Sequence, residues 1–353
     1  MNILALFLFA CLSFAGERIR PEAELLREGY QPVLHTRSTS SAIPAAHSLP
    51  WPVSFEDREH SIGNSMAEFQ PFGTPYFHGG CDLRTADSAI LTAPISGKIE
   101  AGHYSYDTLP DGSLKKYWKP WPQRGDRYYF EVAVVADDGT RFELHHVARE
   151  TLPSNIVQLL NAGGGRVSAG TELGRVIPWP DGVYHHTHYN VELPGGTRVN
   201  PEYVSPLLPD NISPEILGAY AKFADGRVAD FNEGNFASSP VEFIVDMVDR
   251  QNDNVYEHPP VFARLAFTSG QETIWDFRTL LTDGKGHFPN IWAFFLKSLR
   301  TPNGSHIETE GGYGTGHSLI RLPIPSGARG PFTIELGDIA GNISRKTGSI
   351  SGK

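Results

Sequence analysis

Tyr76-Phe77-His78-Gly79-Gly80-Cys81-Asp82-Leu83-Arg84 sets a histidine and an aspartate four residues apart with glycines between them. Read as a strand, it alternates its side chains between two faces, so His78, Gly80 and Asp82 share one face. Gly80 leaves open space between the imidazole and the carboxylate. That arrangement suits a bound cation, since zinc takes histidine nitrogen and aspartate oxygen at about 2 Å. Cys81 points the other way, into whatever the strand packs on.

Two further clusters join it. His186, His188, Asn190 and Glu192 form the polar face of a strand whose other face is Thr187, Tyr189, Val191 and Leu193. Between the two lies Phe142-Glu143-Leu144-His145-His146-Val147, where Phe142, Leu144 and His146 share one face and Glu143 and His145 the other. Three histidine-bearing strands thus offer His78, Asp82, His146, His186 and His188. A catalytic zinc wants three protein ligands and an open position for water, and further imidazoles can move protons.

The chain has 353 residues, enough for two domains. Gly and Pro are plentiful and short β-rich runs outnumber helical patterns, so the fold class reads as mainly β. A formal charge of −10 argues against a nucleic-acid partner, which selects for a basic face. Residues 1–15 run apolar through Ile3 to Ala10, and Ser13-Phe14-Ala15 offers small residues before a cut at Gly16. This reads as a secretory signal peptide, too short to span a bilayer. No later segment is apolar enough to cross a membrane. After cleavage Cys81 alone remains of the two cysteines, so an exported chain has no internal disulfide. Cys81 reads as a small buried thiol.

Residues 16–50 mix charge, Ser and Pro and read as an extended arm. Residues 103–127, with Lys115-Lys116-Tyr117-Trp118-Lys119-Pro120-Trp121-Pro122, read as a long polar-aromatic loop, either a lid or wall of a groove or a surface loop pinned by its own aromatics. Tyr128 to His146 reads as a hairpin turning at Asp138-Gly139, and residues 150–160 as a short helix. The glycine-rich run Gly163–Gly170 lacks the ending of a phosphate loop. After a linker at Pro206–Pro214, short strands at Val241–Val248, Val261–Phe267, Thr273–Phe277, Ile291–Leu299, Ser318–Leu322 and Phe332–Leu336 predict a β-sandwich. His258, His287, His306 and His317 are scattered and read as structural.

With those residues quoted, the chain resembles the lysostaphin-type (LytM-like) zinc endopeptidases over about residues 60–205. His78-Gly79-Gly80-Cys81-Asp82 is similar to the family's His-x-Gly-x-Asp element. Ala93-Pro94-Ile95-Ser96-Gly97-Lys98-Ile99 is similar to its Ala-Pro-x-x-Gly-x-Val turn and strand. Leu144-His145-His146-Val147 resembles its central His followed by an aliphatic residue. Val167 to Gly174 resembles its Val-x-x-Gly-x-x-Ile-Gly strand. His186-Thr187-His188-Tyr189 resembles its His-x-His-Tyr/Phe, and Val199-Asn200-Pro201 its ending.

The resemblance implies an antiparallel β-sheet groove of the duplicated-hybrid-motif type at 51–208; the region at 209–353 falls outside it, and its strand pattern reads as an immunoglobulin-like β-sandwich. The resemblance also implies His78, Asp82 and His188 as ligands of Zn2+, with His146 and His186 as metal-free catalytic histidines. Both of these positions are doubled, so His145 and His185 stand as alternatives, with strand alternation favouring His146 and His186. The implied activity is that of an exported, periplasmic or extracellular metalloendopeptidase cutting peptidoglycan peptides. The sandwich is expected to meet a wall or protein partner. The alternative is an occluded wall-binding or regulatory protein that activates a cell-wall amidase.

Overall fold

The computed structural model describes residues 20–33, 43–55, 61–70, 76–110, 114–179, 184–231, 235–251, 256–279, 291–309, 312–313 and 317–351. The signal-peptide reading at 1–15 and His287 lie outside the described residues. Among the described residues no helix is long and apolar enough to cross a membrane. The chain is mainly β, built from several largely antiparallel sheets. It divides into two compact units, one running to Met66 and from Gln70 to Pro206, the other taking Ala67–Phe69, Leu207–Thr279 and the described residues that follow.

The first unit is organised by one antiparallel sheet. Its strands lie in the order Gln31–Pro32, Leu114–Pro120, Gly97–Thr108, Phe130–Val135, Arg141–Leu144, His186–Glu192, Cys81–Arg84, Ile62–Asn64. Period-two alternation divides its faces. Cys81, Leu83, Tyr189, Val191, Phe142, Leu144, Val132, Val134 and Ile99 are all buried on one side. Each large apolar side chain buried there contributes about 2 kcal/mol. The other face carries Asp82, His188, Asn190, Glu143 and Glu131. Pairing of His188 with Asp82 and of Glu143 with Asn190 fixes which polar groups meet. A slip of one residue would exchange the faces.

Three expectations change. The opening stretch is interrupted, with strands at Tyr76–Phe77 and Cys81–Arg84 and no strand at 78–80. Residues 103–127 are not a loop throughout. Gly97–Thr108 and Leu114–Pro120 form a long hairpin joined in register from Gly102↔Pro120 to Thr108↔Leu114. Its Lys and aromatic residues conceal a two-residue period, because one face meets buried charge and the other buries Tyr117. Within 16–50, the described residues hold a helix at Glu22–Arg27, which buries Leu25 beside Tyr30 and Tyr117, and a strand at Gln31–Pro32 paired with Trp118 and Tyr117. The hairpin Phe130–Val135/Arg141–Leu144 and the helix Ser154–Asn161 form close to where the pattern placed them.

The second unit contains two main sheets. Val228–Asp230, Glu215–Lys222, Glu242–Val248 and Ser318–Pro323 form a four-stranded sheet. Asn235–Phe236, Ile343–Ile350, Gly330–Gly337, Phe262–Phe267 and Glu272–Asp276 form a five-stranded one. Phe243 of the first and Phe332 of the second meet with ring centroids 4.7 Å apart, and Phe231 packs against both at 5.4 and 5.6 Å. That aromatic contact supplies a sandwich core. The predicted strand at Ile291–Leu299 is instead a short 3-10 turn and a strand at Ser298–Arg300.

Candidate metal centre

His78, Asp82 and His188 come together on the polar face of the first unit's sheet, all buried, with ligand atoms within 4.8 Å of one another. His78 Nε2 lies 3.1 Å and His188 Nδ1 2.9 Å from the same oxygen, Asp82 Oδ1. The far nitrogen of each ring is tied off. The Ser65 carbonyl accepts from His78 Nδ1 at 3.1 Å, and Asn190 Oδ1 accepts from His188 Nε2 at 2.9 Å. Asn190 is itself oriented by Glu143, whose carboxylate accepts from Asn190 Nδ2 at 3.2 Å. A carboxylate has no proton to give, so the amide must turn its oxygen toward His188.

These bonds fix both tautomers. In the neutral rings His78 Nε2 and His188 Nδ1 are the nitrogens without protons, and both face the Asp82 carboxylate. Burial, then the neighbouring His78, pushes His188 down to about 3, so its ring is neutral near pH 7. Burial would raise the Asp82 carboxyl, but His78, His186 and His188 outweigh it and hold it well below the usual range. Atoms bound tetrahedrally to one zinc at about 2 Å are roughly 3.3 Å from each other. The donor set and its spacing therefore fit zinc. Gly80 is required here for close approach, since a Cβ would come within 2.2 Å of Asn190 Oδ1 and 2.3 Å of the Tyr189 carbonyl.

His146 and His186 sit together beside this group, ring centroids 5.0 Å apart, and His186 Nε2 is 3.9 Å from Asp82 Oδ2. The Tyr128 carbonyl accepts from His146 Nδ1 at 2.8 Å. Burial, then the charge of His186, lowers His146 well below the ordinary imidazole value. Trp179 stacks on His186 at 4.8 Å and 9°, and Tyr128 stacks on Trp179 at 5.4 Å. The alternation that favours His146 does not extend to it. The strand ends at Leu144, and His146 has φ 59°, a left-handed conformation that turns it off the face of Phe142. His185 faces elsewhere, 3.8 Å from Asp87.

His145 joins a different group. Its Nε2 is 3.0 Å from Glu131 and 3.6 Å from Glu143, and the three also place ligand atoms within 4.8 Å of one another. Lys116 fills that space, with its ammonium 2.6 Å from Glu131 and 2.9 Å from Glu143. Arg141 and Arg198 approach Glu143 at 3.2 and 3.9 Å. Burial would raise Glu143, but Lys116, His145, Arg141 and Arg198 outweigh it and hold it well below the carboxylate range.

Cys81 lies on the sheet's apolar side, its Sγ 3.7 Å from Asn200 Oδ1 and 3.8 Å from Glu202 Oε2, and burial pushes the thiol well up. Trp179, Tyr128, Lys116 and Glu131 were missed from sequence. Only the position of Glu143 and His145 on a common strand face signalled the second group. In the second unit His258 pairs with Glu68 at 3.2 Å and His317 with Asp246 at 2.7 Å.

No family model matches the chain, and no curated protein matches it. Among solved structures, the SpoIIQ–SpoIIIAH pore-forming complex aligns with a TM-score of 0.30 and 14% identity over 46% of this chain and 94% of that one. The solution structure of lysostaphin aligns at 0.30 and 14% over 85% and 99%. The antimicrobial peptidase lysostaphin from Staphylococcus simulans aligns at 0.27 and 14% over 86% and 100%.

Proposed function

We propose that this chain is an exported zinc metalloendopeptidase that hydrolyses peptide bonds in the cross-links or stems of peptidoglycan. One observation carries the reading. Two imidazole nitrogens and a carboxylate oxygen, all buried, converge at 2.9 and 3.1 Å, a donor set and spacing that suit one bound metal ion. His78, Asp82 and His188 are the proposed ligands. Zinc held there supplies Lewis acidity toward a carbonyl and toward water. His146, with Nδ1 committed to the Tyr128 carbonyl, offers Nε2 as the acceptor of the water's proton. His186 steadies the developing oxyanion, and Trp179 fixes its ring and keeps water off that side. The sandwich is proposed to position the enzyme on the wall, in the periplasm or outside the cell.

The reading is tested by mass spectrometry of fragments released from purified sacculi by the full chain, by His186→Ala and by a chelated sample. Peptide-cleaved fragments from the untreated wild type alone are the expected result, with about one zinc per chain. A second reading is favoured by burial, since Asp82 and His188 are each only 8% exposed. In it the centre is occluded and the chain activates a wall amidase. Zinc binding with no released peptide, together with stimulation of an amidase, selects that reading.

A further inference from the structure

A cavity of about 470 Å³ lies in the first unit, away from the histidine cluster. Its floor includes His103. Tyr104 packs against His145 at 4.2 Å, rings tilted by 47°, on the polar face of the sheet, so its neighbour His103 projects through the opposite face, where it meets Phe130 at 5.0 Å. The cavity is therefore on the reverse side of the sheet from His78 and His188.

Its charge is unbalanced. Arg124, Arg127 and Arg149 all line it against one carboxylate, Glu150. None of the three arginines forms an ion pair with a described residue. Arg149 is fixed in place, donating to the carbonyls of Pro122 at 2.7 Å and Gln123 at 2.6 Å while stacked over Trp121 at 4.2 Å. A preorganised guanidinium with uncommitted neighbours matches a planar oxyanion. Leu152 and Val157 add an apolar wall. Glu150 disfavours a second negative charge and so favours a monoanion.

His103 supplies the second feature. It is 2% exposed, and its Nδ1 has no hydrogen-bond partner among the described residues. Burial, then Arg149, pushes the ring down to about 4, while the Gln123 backbone acts in the other direction. The ring is neutral near pH 7, and a neutral imidazole keeps one nitrogen as an acceptor, which Nδ1, without a partner among the described residues, can offer to an N–H.

We infer that this cavity is a binding site for the free carboxyl end of a peptide, its carboxylate on Arg124, Arg127 and Arg149, its last amide N–H on His103, and a short aliphatic side chain against Leu152 and Val157. The site goes beyond the hydrolytic reading, because binding here is separate from cleavage at the zinc centre. A phosphodiester brings neither the N–H nor the aliphatic body, which favours the peptide end.

The test is calorimetric titration of the full chain with N-acetyl-alanyl-alanine, with its C-terminal amide and with inorganic phosphate. Saturable binding of the acid is expected, with the amide weaker by about tenfold or more. Arg124→Gln with Arg127→Gln, both at exposed positions, is expected to weaken the acid by about tenfold with an unchanged melting curve. Equal binding of acid and amide overturns the inference, as does phosphate binding tighter than the acid. So does undiminished binding by the double variant, or no saturable binding of the acid.

Discussion

Two groups on the same sheet face each bring three potential ligands within 4.8 Å, and they differ in what surrounds them. Around His78, Asp82 and His188 the neighbours are imidazoles with fixed tautomers, and the lone pairs face one another. Around Glu131, Glu143 and His145 stand Lys116 and Arg141, so the positive charge is already present as protein. Proximity of ligand types is therefore a poor criterion for a metal site. The balance of charge within hydrogen-bond reach decides, because a buried anion must be compensated and a lysine does this as well as an ion.

The largest effect that would break this contrast is at Asp82. Asp82→Ala is expected to lower zinc affinity by more than about 100-fold, beyond what loss of an outer partner costs, and to abolish cleavage. Chelator competition and sacculus digestion read the two. Zinc retained at wild-type affinity removes the ligand assignment. Next comes Lys116→Met, which leaves Glu131 and Glu143 without their ammonium and is expected to destabilise the fold by about 3–5 kcal/mol. Denaturant melts measure this. A melt unchanged from wild type would show that the second group is not held by Lys116.

The smallest effect separates the groups by pH. His188 is depressed to about 3 when folded, so the unfolded chain takes up its proton first, near 6.5. Its contribution to the stability of the metal-free protein is present above 6.5 and is lost as pH falls from there toward 3. Glu143 is also depressed, and its contribution is present above 4.5 and lost below it. His188→Gln should therefore make the acid slope between pH 6.5 and 4.5 shallower by about one proton, leaving the steeper loss below 4.5. Chelated samples melted across this range would show it, and an unchanged upper slope contradicts a neutral His188.

One element of the histidine cluster was legible through strand alternation. His186, His188, Asn190 and Glu192 alternate strictly, and the structure keeps that order. His146 was reached by a face argument that does not hold at φ 59°, since alternation says nothing beyond a strand's last residue. The strand from Gly97 was legible, but the hairpin beyond Gly102 was not, because Lys115, Lys116 and Lys119 read as part of a polar loop, whereas Lys116 is buried between two glutamates from other strands. That pairing is long-range and leaves no local trace. In the second unit, Ile343–Ile350 went unseen for the opposite reason. Its sequence, ISRKTGSI, carries too little apolar pattern, and its strand forms by pairing along Gly330–Gly337.

The Trp179–His186 stack carries an optical consequence. An indole stacked 4.8 Å from an imidazole and nearly parallel to it senses that ring's charge through its excited state, so emission from Trp179 should report proton arrival at His186. The chain has six tryptophans, and a difference spectrum against Trp179→Phe isolates this one. The protein thus holds its own fluorophore beside the candidate centre, and a titration followed by light needs neither a label nor a substrate.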